Sequence, residues 1–322
     1  MSITDDKASL GCYPTPVHPL GAISAQLEVN LMIKRDDLSG IAAGGNKIRK
    51  LEFLVEDAKR KESTILITAG AIQSNHALQT AAAARKSGLE ALLVLDGKKP
   101  QEARGNLLLD IILGAQVEYL NSSNFVVDAR EYMERRSLDL TALGENPYII
   151  PVGGSNSLGA LGYVDCAREL KKQFSDMGRG DPDFIVAPVG SAGTYAGLVV
   201  GCATHFPSTK ILGIVVTTNY FARRDLVAGL VNETARRVGL ERTWSSQDLL
   251  LDYDFIGPGY GIPSEEGSLA IDLLARSEGI FLDPTYTAKV FAGILGNVAS
   301  GHIERGADVI FLHTGGAAAL LA

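Results

Sequence analysis

Thr64-Ile65-Leu66-Ile67-Thr68, the alanine-rich segment 74–87, Gly88, and Ala91-Leu92-Leu93-Val94-Leu95 decide the fold. The two short apolar runs read as buried strands. The segment between them reads as a helix closed by Gly88. Strand, helix and strand in that order make a parallel pair joined by a crossover. The rhythm continues with a helix over about 101–113 ending at Gly114, a strand at Val117-Glu118-Tyr119-Leu120, a helix over 127–142 and a strand at Tyr148-Ile149-Ile150-Pro151-Val152. It then restarts with a helix over 158–174, the polar break from Ser175 to Pro182, and a strand at Phe184-Ile185-Val186-Ala187-Pro188-Val189. A helix from Gly193 to His205, a strand from Ile211 to Val216, helices over 222–237, 265–278 and 286–300, and a last strand from Val309 to His313 complete it. The pattern predicts an α/β fold of two open, mostly parallel twisted sheets, helices on both faces, and a ligand cleft between them. We divide the chain into a larger unit, 1–48 with 158–322, and a smaller α/β unit, 49–157.

Composition narrows the function. The chain has 322 residues, 46 % of them hydrophobic, which supports a sizeable core and excludes a disordered protein. A net charge of −7 leaves no basic field for nucleic acid. The longest apolar stretches are of strand length, so no membrane span is expected. The polar, acidic start from Met1 to Lys7 has no apolar signal core, and a cytoplasmic globular protein is expected. Cys12, Cys166 and Cys202 fit neither a disulfide framework nor a zinc site, and buried inert thiols are the default. His18, His76, His205, His302 and His313 lack ligand spacing, so no metal is expected.

The chemistry-bearing residues lie in strand-to-helix turns, where parallel sheets bind ligands. Ala43-Gly44-Gly45-Asn46-Lys47 frames one lysine with glycines at the head of a helix. A partly desolvated amine there has a lowered pKa and can form an imine with an aldehyde; a plain turn with a solvated lysine is the other reading. Gly190-Ser191-Ala192-Gly193-Thr194 joins a strand to a helix and offers an anion cup of small residues and hydroxyls. Its glycine spacing differs from the dinucleotide fingerprint, and a lone phosphate fits it better; a tight turn is the alternative. Ala69-Gly70-Ala71-Ile72-Gln73-Ser74-Asn75-His76 is a second such turn. Ser74 or Asn75 could simply cap the helix. Yet four polar side chains in a row, Gln73 to His76, could also take a carboxylate. Tyr260 sits among glycines in Gly257-Pro258-Gly259-Tyr260-Gly261, as packing anchor or pocket residue, and Thr314 follows the last strand. Lysine, phosphate cup, carboxylate turn and loop tyrosines together describe pyridoxal phosphate acting on a small amino acid.

At these residues the chain resembles the D-cysteine desulfhydrase and 1-aminocyclopropane-1-carboxylate (ACC) deaminase family. These are fold-type II pyridoxal-phosphate enzymes related to the tryptophan synthase β subunit. The resemblance rests on Ile33-Lys34-Arg35-Asp36-Asp37, Gly44 to Leu54, Thr68 to His76, Ile150 to Ser155, Gly190 to Thr194, Gly257 to Gly261, Asp283-Pro284-Thr285-Tyr286-Thr287 and His313-Thr314-Gly315-Gly316. It implies Lys47 as the Schiff-base lysine and Cα base, with Asn46 beside it, in a large cofactor-binding domain and a homodimer. It implies Asn75 on the cofactor's ring oxygen, and Ser191, Ala192, Gly193 and Thr194 about the phosphate. Gln73, Ser74, Asn75 and His76 would meet the substrate, Tyr286 would lie against the pyridine ring, Tyr260 would act as an acid, and Thr314 would face the ring nitrogen. ACC deaminases resemble this chain but carry glutamate where it has Thr287. The implied reaction is α,β-elimination, with D-cysteine the first substrate; ACC deaminase, L-cysteate sulfo-lyase, β-replacement synthase and racemase are the alternatives. The desulfhydrases have Val-Arg-Gln-Thr after the histidine, whereas Ala77-Leu78-Gln79-Thr80 stands here, and Thr217 to Phe221 matches nothing familiar.

Overall fold

The computed structural model describes residues 6–321. In chain order the elements are β1 (Val17–Pro19), α1 (Gly21–Leu27), β2 (Asn30–Arg35), α2 (Lys47–Arg60), β3 (Ile65–Ala71), α3 (Asn75–Lys86) and β4 (Glu90–Asp96). Next come α4 (Gly105–Ile112), β5 (Gln116–Leu120), α5 (Phe125–Ala142), β6 (Pro147–Ile149), α6 (Leu161–Asp176), β7 (Phe184–Val189) and α7 (Gly193–His205). The chain closes with β8 (Lys210–Val215), α8 (Arg224–Arg237), β9 (Leu250–Asp252), α9 (Glu265–Glu278), α10 (Thr287–Ala299) and β10 (Asp308–His313).

Two sheets form. The six-stranded sheet runs β1-β2-β10-β7-β8-β9 and the four-stranded sheet β5-β4-β3-β6. Every pairing is parallel except that of β1 with β2. Each sheet is apolar on both faces and is covered on both, as parallel sheets require. On the larger sheet, Tyr163, Leu170, Tyr195 and Val227 pack one face, while Ile23, Leu274, Phe291 and Ile294 pack the other. On the smaller sheet, Leu51, Leu54, Ala81 and Ala84 cover one face and Ala129, Met133 and Leu140 the other.

Some local expectations shift. The first helix after β4 begins at Gly105 rather than near 101, because Arg104 is extended (φ −134°, ψ 167°). The strand expected over 148–152 stops at Ile149. Beyond it Gly153 and Gly154 turn through the left-handed region, with φ of 71° and 60°. At Gly153 a Cβ would lie 2.0 Å from Ser191 Oγ, so only glycine fits. Helix α2 begins at Lys47, so the boundary placed at residue 48 falls inside its first turn. Cys12 is exposed, contrary to the default of three buried thiols, because it lies on the N-terminal stretch that bridges at Gly11 to Gly40. Cys166 and Cys202 are buried, and burial pushes both thiols up.

Candidate active site

The carboxyl ends of both sheets open onto one cavity of about 330 Å³. The smaller sheet contributes the turns after β3, β4, β5 and β6, and the larger sheet those after β7 and β8. This is where a parallel sheet presents helix N-termini and backbone N–H groups.

Lys47 is the first residue of α2 and faces this cavity. The close passage before it depends on Gly45 (φ 130°), where a Cβ would meet Gln79 Nε2 at 2.5 Å and the Thr314 carbonyl at 3.1 Å. Lys47 Nζ donates to Asn46 Oδ1 at 2.9 Å, and Asn46 Nδ2 donates to Thr194 Oγ1 at 2.9 Å. Among the described residues no carboxylate hydrogen-bonds this amine. Burial brings its pKa down to about 8, with distant Asp283 opposing. Such an amine reaches its neutral, nucleophilic form far more readily than a solvated lysine, and loses its proton as pH rises through about 8.

Across the cavity, α7 begins at Gly193, preceded by Ala192 in the left-handed region (φ 64°, ψ −16°). An L-residue held there is strain of the kind found at functional turns, and alternating backbone hands make anion-binding nests. Lys50 joins this wall. Its Nζ donates to the Gly153 carbonyl at 2.9 Å and to Ser155 Oγ at 3.2 Å. Ser155 Oγ in turn shares a 2.8 Å hydrogen bond with Ser191 Oγ and accepts from Gly193 N at 3.2 Å. Lys50 is buried without a carboxylate, and burial together with the Lys47 charge holds it well below the usual lysine range. A buried cation at a helix N-terminus is a surplus of positive potential that a phosphate would neutralise. Lys50 was not singled out in the sequence, although its i,i+3 spacing from Lys47 places the two as neighbours on the helix.

The turn between β3 and α3 divides its labour. Ser74 lines the cavity and caps α3, its Oγ accepting from Ala77 N at 3.1 Å. The first-turn N–H groups of Asn75 and His76 precede the intrahelical bonds and suit a carboxylate. His76 also lines the cavity; its Nε2 meets Thr68 Oγ1 at 2.9 Å while Nδ1 is buried without a partner. Burial, then the charges of Lys47 and Lys50, keeps this imidazole neutral. Gln73 does not line the cavity. Its Oε1 accepts from Asn106 N at 2.8 Å and its Nε2 donates to the Arg104 carbonyl at 3.1 Å. It therefore closes the N-terminus of α4, whose own cap residue makes no side-chain bond.

Tyr260 and Tyr286 both line the cavity, and their hydroxyls share a 2.5 Å hydrogen bond. Burial raises both phenols, so both stay protonated near neutral pH. The Lys47 ammonium lies 5.7 Å from the centre of the Tyr286 ring. Lys289 anchors the tyrosine loop by donating to the carbonyls of Ile256 and Gly259, each at 2.8 Å. Asp283 caps α10, accepting from the N–H groups of Thr285, Tyr286 and Thr287 and from the Thr287 hydroxyl. Thr314 is buried, and its carbonyl accepts from Asn46 N at 3.0 Å. Asn75, Gly193 and Thr314 border the site without lining its open space. Leu78, where the related desulfhydrases have arginine, is buried in α3 away from the cavity. Asp96, the last residue of β4, Phe125, the first of α5, and Phe221, in the segment after β8, line it unforeseen.

Two open parallel sheets meeting at an under-compensated lysine, a phosphate-sized anion cup and a carboxylate turn define a fold-type II cofactor enzyme. The comparisons carry this further. The model for the family described as pyridoxal-phosphate dependent enzyme matches residues 8–315. A solved structure described as an ACC deaminase homologue is similar at 36 % identity and a TM-score of 0.88, over 98 % of this chain and 93 % of that one. The fold is shared with a fungal L-serine ammonia-lyase from Rhizomucor miehei (18 % identity, TM-score 0.70, 97 % of this chain and 96 % of that one). It is shared also with threonine deaminase isoform 2 of Solanum lycopersicum (19 % identity, TM-score 0.67, 98 % and 81 %). The chain belongs to the pyridoxal-phosphate-dependent enzyme family, in its ACC deaminase and D-cysteine desulfhydrase group.

Proposed function

We propose that this enzyme eliminates the β-substituent of a small amino acid, with D-cysteine as first substrate and pyruvate, sulfide and ammonia as products. The carrying observation is the Lys47 amine, buried without a carboxylate and held between the anion cup of α7 and the Tyr260–Tyr286 pair. Bound pyridoxal phosphate supplies an electron sink for the carbanion at Cα. Lys47 would hold its aldehyde, and its Nζ would take the Cα proton of the substrate. Ala192, Gly193, Thr194, Ser191 and Lys50 would hold the phosphate, and Asn75 would donate to the ring oxygen. Ser74 and the first turn of α3 take the substrate carboxylate. Tyr286 would lie against the ring, and Tyr260, protonated, would deliver a proton to the leaving group. Thr314 would be a neutral partner for the ring nitrogen, which would favour elimination over reactions that need a longer-lived carbanion.

The charges about the cavity support an uncharged substrate side chain. The basic side chains that line the cavity are Lys47, Lys50 and His76; the imidazole is neutral, and the two lysines would be engaged by the cofactor. None remains to hold the sulfonate of cysteate. Likeness to the ACC deaminase homologue favours a second reading, ring opening of ACC. Against it, the hydroxyl of Thr287 already serves buried Asp283, and a glutamate there would place a second carboxylate beside the first. Keto-acid release assayed with both enantiomers of cysteine, L-cysteate and ACC separates these readings. Release from D-cysteine above the others supports the proposal. Release from ACC or cysteate alone transfers the assignment, and release from none by enzyme loaded with cofactor overturns elimination.

A further inference from the structure

Asn106, the second residue of α4, has no exposed surface, yet it is polar and touches the site only through one neighbour. Its Nδ2 donates twice, to the Gln73 carbonyl at 2.9 Å and to Asn75 Oδ1 at 2.8 Å, while its backbone N–H donates to Gln73 Oε1 at 2.8 Å. A peptide carbonyl can only accept, so the atom facing Gln73 is the amide nitrogen. The second proton of that nitrogen points to Asn75, so the Asn75 atom facing it is the oxygen. The amide of Asn75 is thereby fixed with Nδ2 on its other side, beside Gly316, where a Cβ would come within 2.7 Å of it.

Asn106 Oδ1 is buried with no donor. A buried acceptor without a donor is unfavourable, and an apolar residue of similar size would avoid it. The amide is therefore poorly explained by packing. Turning it over would set its oxygen against two acceptors. The orphaned oxygen is the cost of aiming both donors at Gln73 and Asn75.

We propose that Asn106 is a positioning residue that locks the polarity of Asn75, so that Asn75 can only donate a hydrogen bond toward the cofactor. This rests on the reading that Asn75 meets the ring oxygen. A donor there stabilises the ionised oxygen, and an acceptor repels it.

The test is Asn106→Asp, which keeps the shape and replaces the donor with an acceptor. Asn75 then turns over to donate to the new carboxylate and shows its own oxygen to the cofactor. We expect pyridoxal phosphate to bind about tenfold more weakly and the pH titration of its visible band to shift. Asn106→Ala, which removes the donor without adding an acceptor, should weaken binding about threefold; it stands in if the aspartate variant does not fold. In an Asn75→Ala background either change should add less than about twofold. Equal effects in both backgrounds, or a wild-type spectrum and affinity in Asn106→Asp, would overturn the proposal. A wild-type protein with no lysine-bound cofactor band would overturn the site reading itself, and this proposal with it.

Discussion

The first turn of helix α2 carries three basic residues, Arg49 and Lys50 buried and Lys47 half-buried, and the structure treats them in opposite ways. Arg49 is closed into a network. It donates to Asp36 at 2.8 and 2.9 Å and to both oxygens of Glu169 at 2.9 Å, with the Tyr13 ring 4.3 Å away. Tyr163 and Thr15 complete Asp36, and Lys34 completes Glu169. Burial pushes Asp36 upward, but Arg49 and Lys34 outweigh it and hold the carboxyl down at about 2. Lys47 and Lys50, on either side of Arg49 in sequence, form no ion pair with a carboxylate among the described residues. A buried charge that is fully paired tells of architecture: this network ties α2 to β2 and α6 and so aims Lys47. A buried charge left unpaired tells of a missing partner, here the cofactor.

The contrast can be broken at either end. The largest expected effect is on the paired side. Arg49→Leu strands Asp36 and Glu169 and should cost about 3–5 kcal/mol, read from the urea midpoint of the protein without cofactor. A midpoint close to wild type would mean that the network is ornamental. On the unpaired side, Lys50→Met should leave that midpoint nearly unchanged. It should weaken pyridoxal phosphate binding about tenfold, with free phosphate competing less well. Covalent capture by the wild type should speed up as pH rises through about 8, where Lys47 loses its proton, and level off above. Since burial, not Lys50, sets that value, the midpoint should stay near 8 in Lys50→Met. A midpoint that moves would show that the two amines titrate together.

The repeating frame was legible wherever one pattern sufficed. Phe184–Val189 and the helix from Gly193 to His205 were read to the residue, since an apolar run abuts small residues that only a tight turn needs. Strand β2 was hidden from that pattern because it ends in Lys34-Arg35. Lys34 is wholly buried, and the pairing with Glu169 that permits it spans 135 residues. Helix α2 was read only as a start because Arg49, Lys50 and Glu52 fill positions that a surface helix gives to water. Glycine and hydroxyl spacing marked Lys47, Ser74 and the cup. Gln73 went to α4 instead of the cavity because its partner, Asn106, lies 33 residues away, a contact that no local motif encodes. Lys50 was missed for the same reason: its partners come from the turn at Gly153.

In the proposed site Lys47, not its buried neighbour Lys50, holds the cofactor. Borohydride reduction of the holoenzyme followed by peptide mapping tests it most directly. The expected result is one pyridoxyl group per chain, on Lys47. Attachment to Lys50, or to no lysine of α2 in a protein that retains the cofactor, would contradict it.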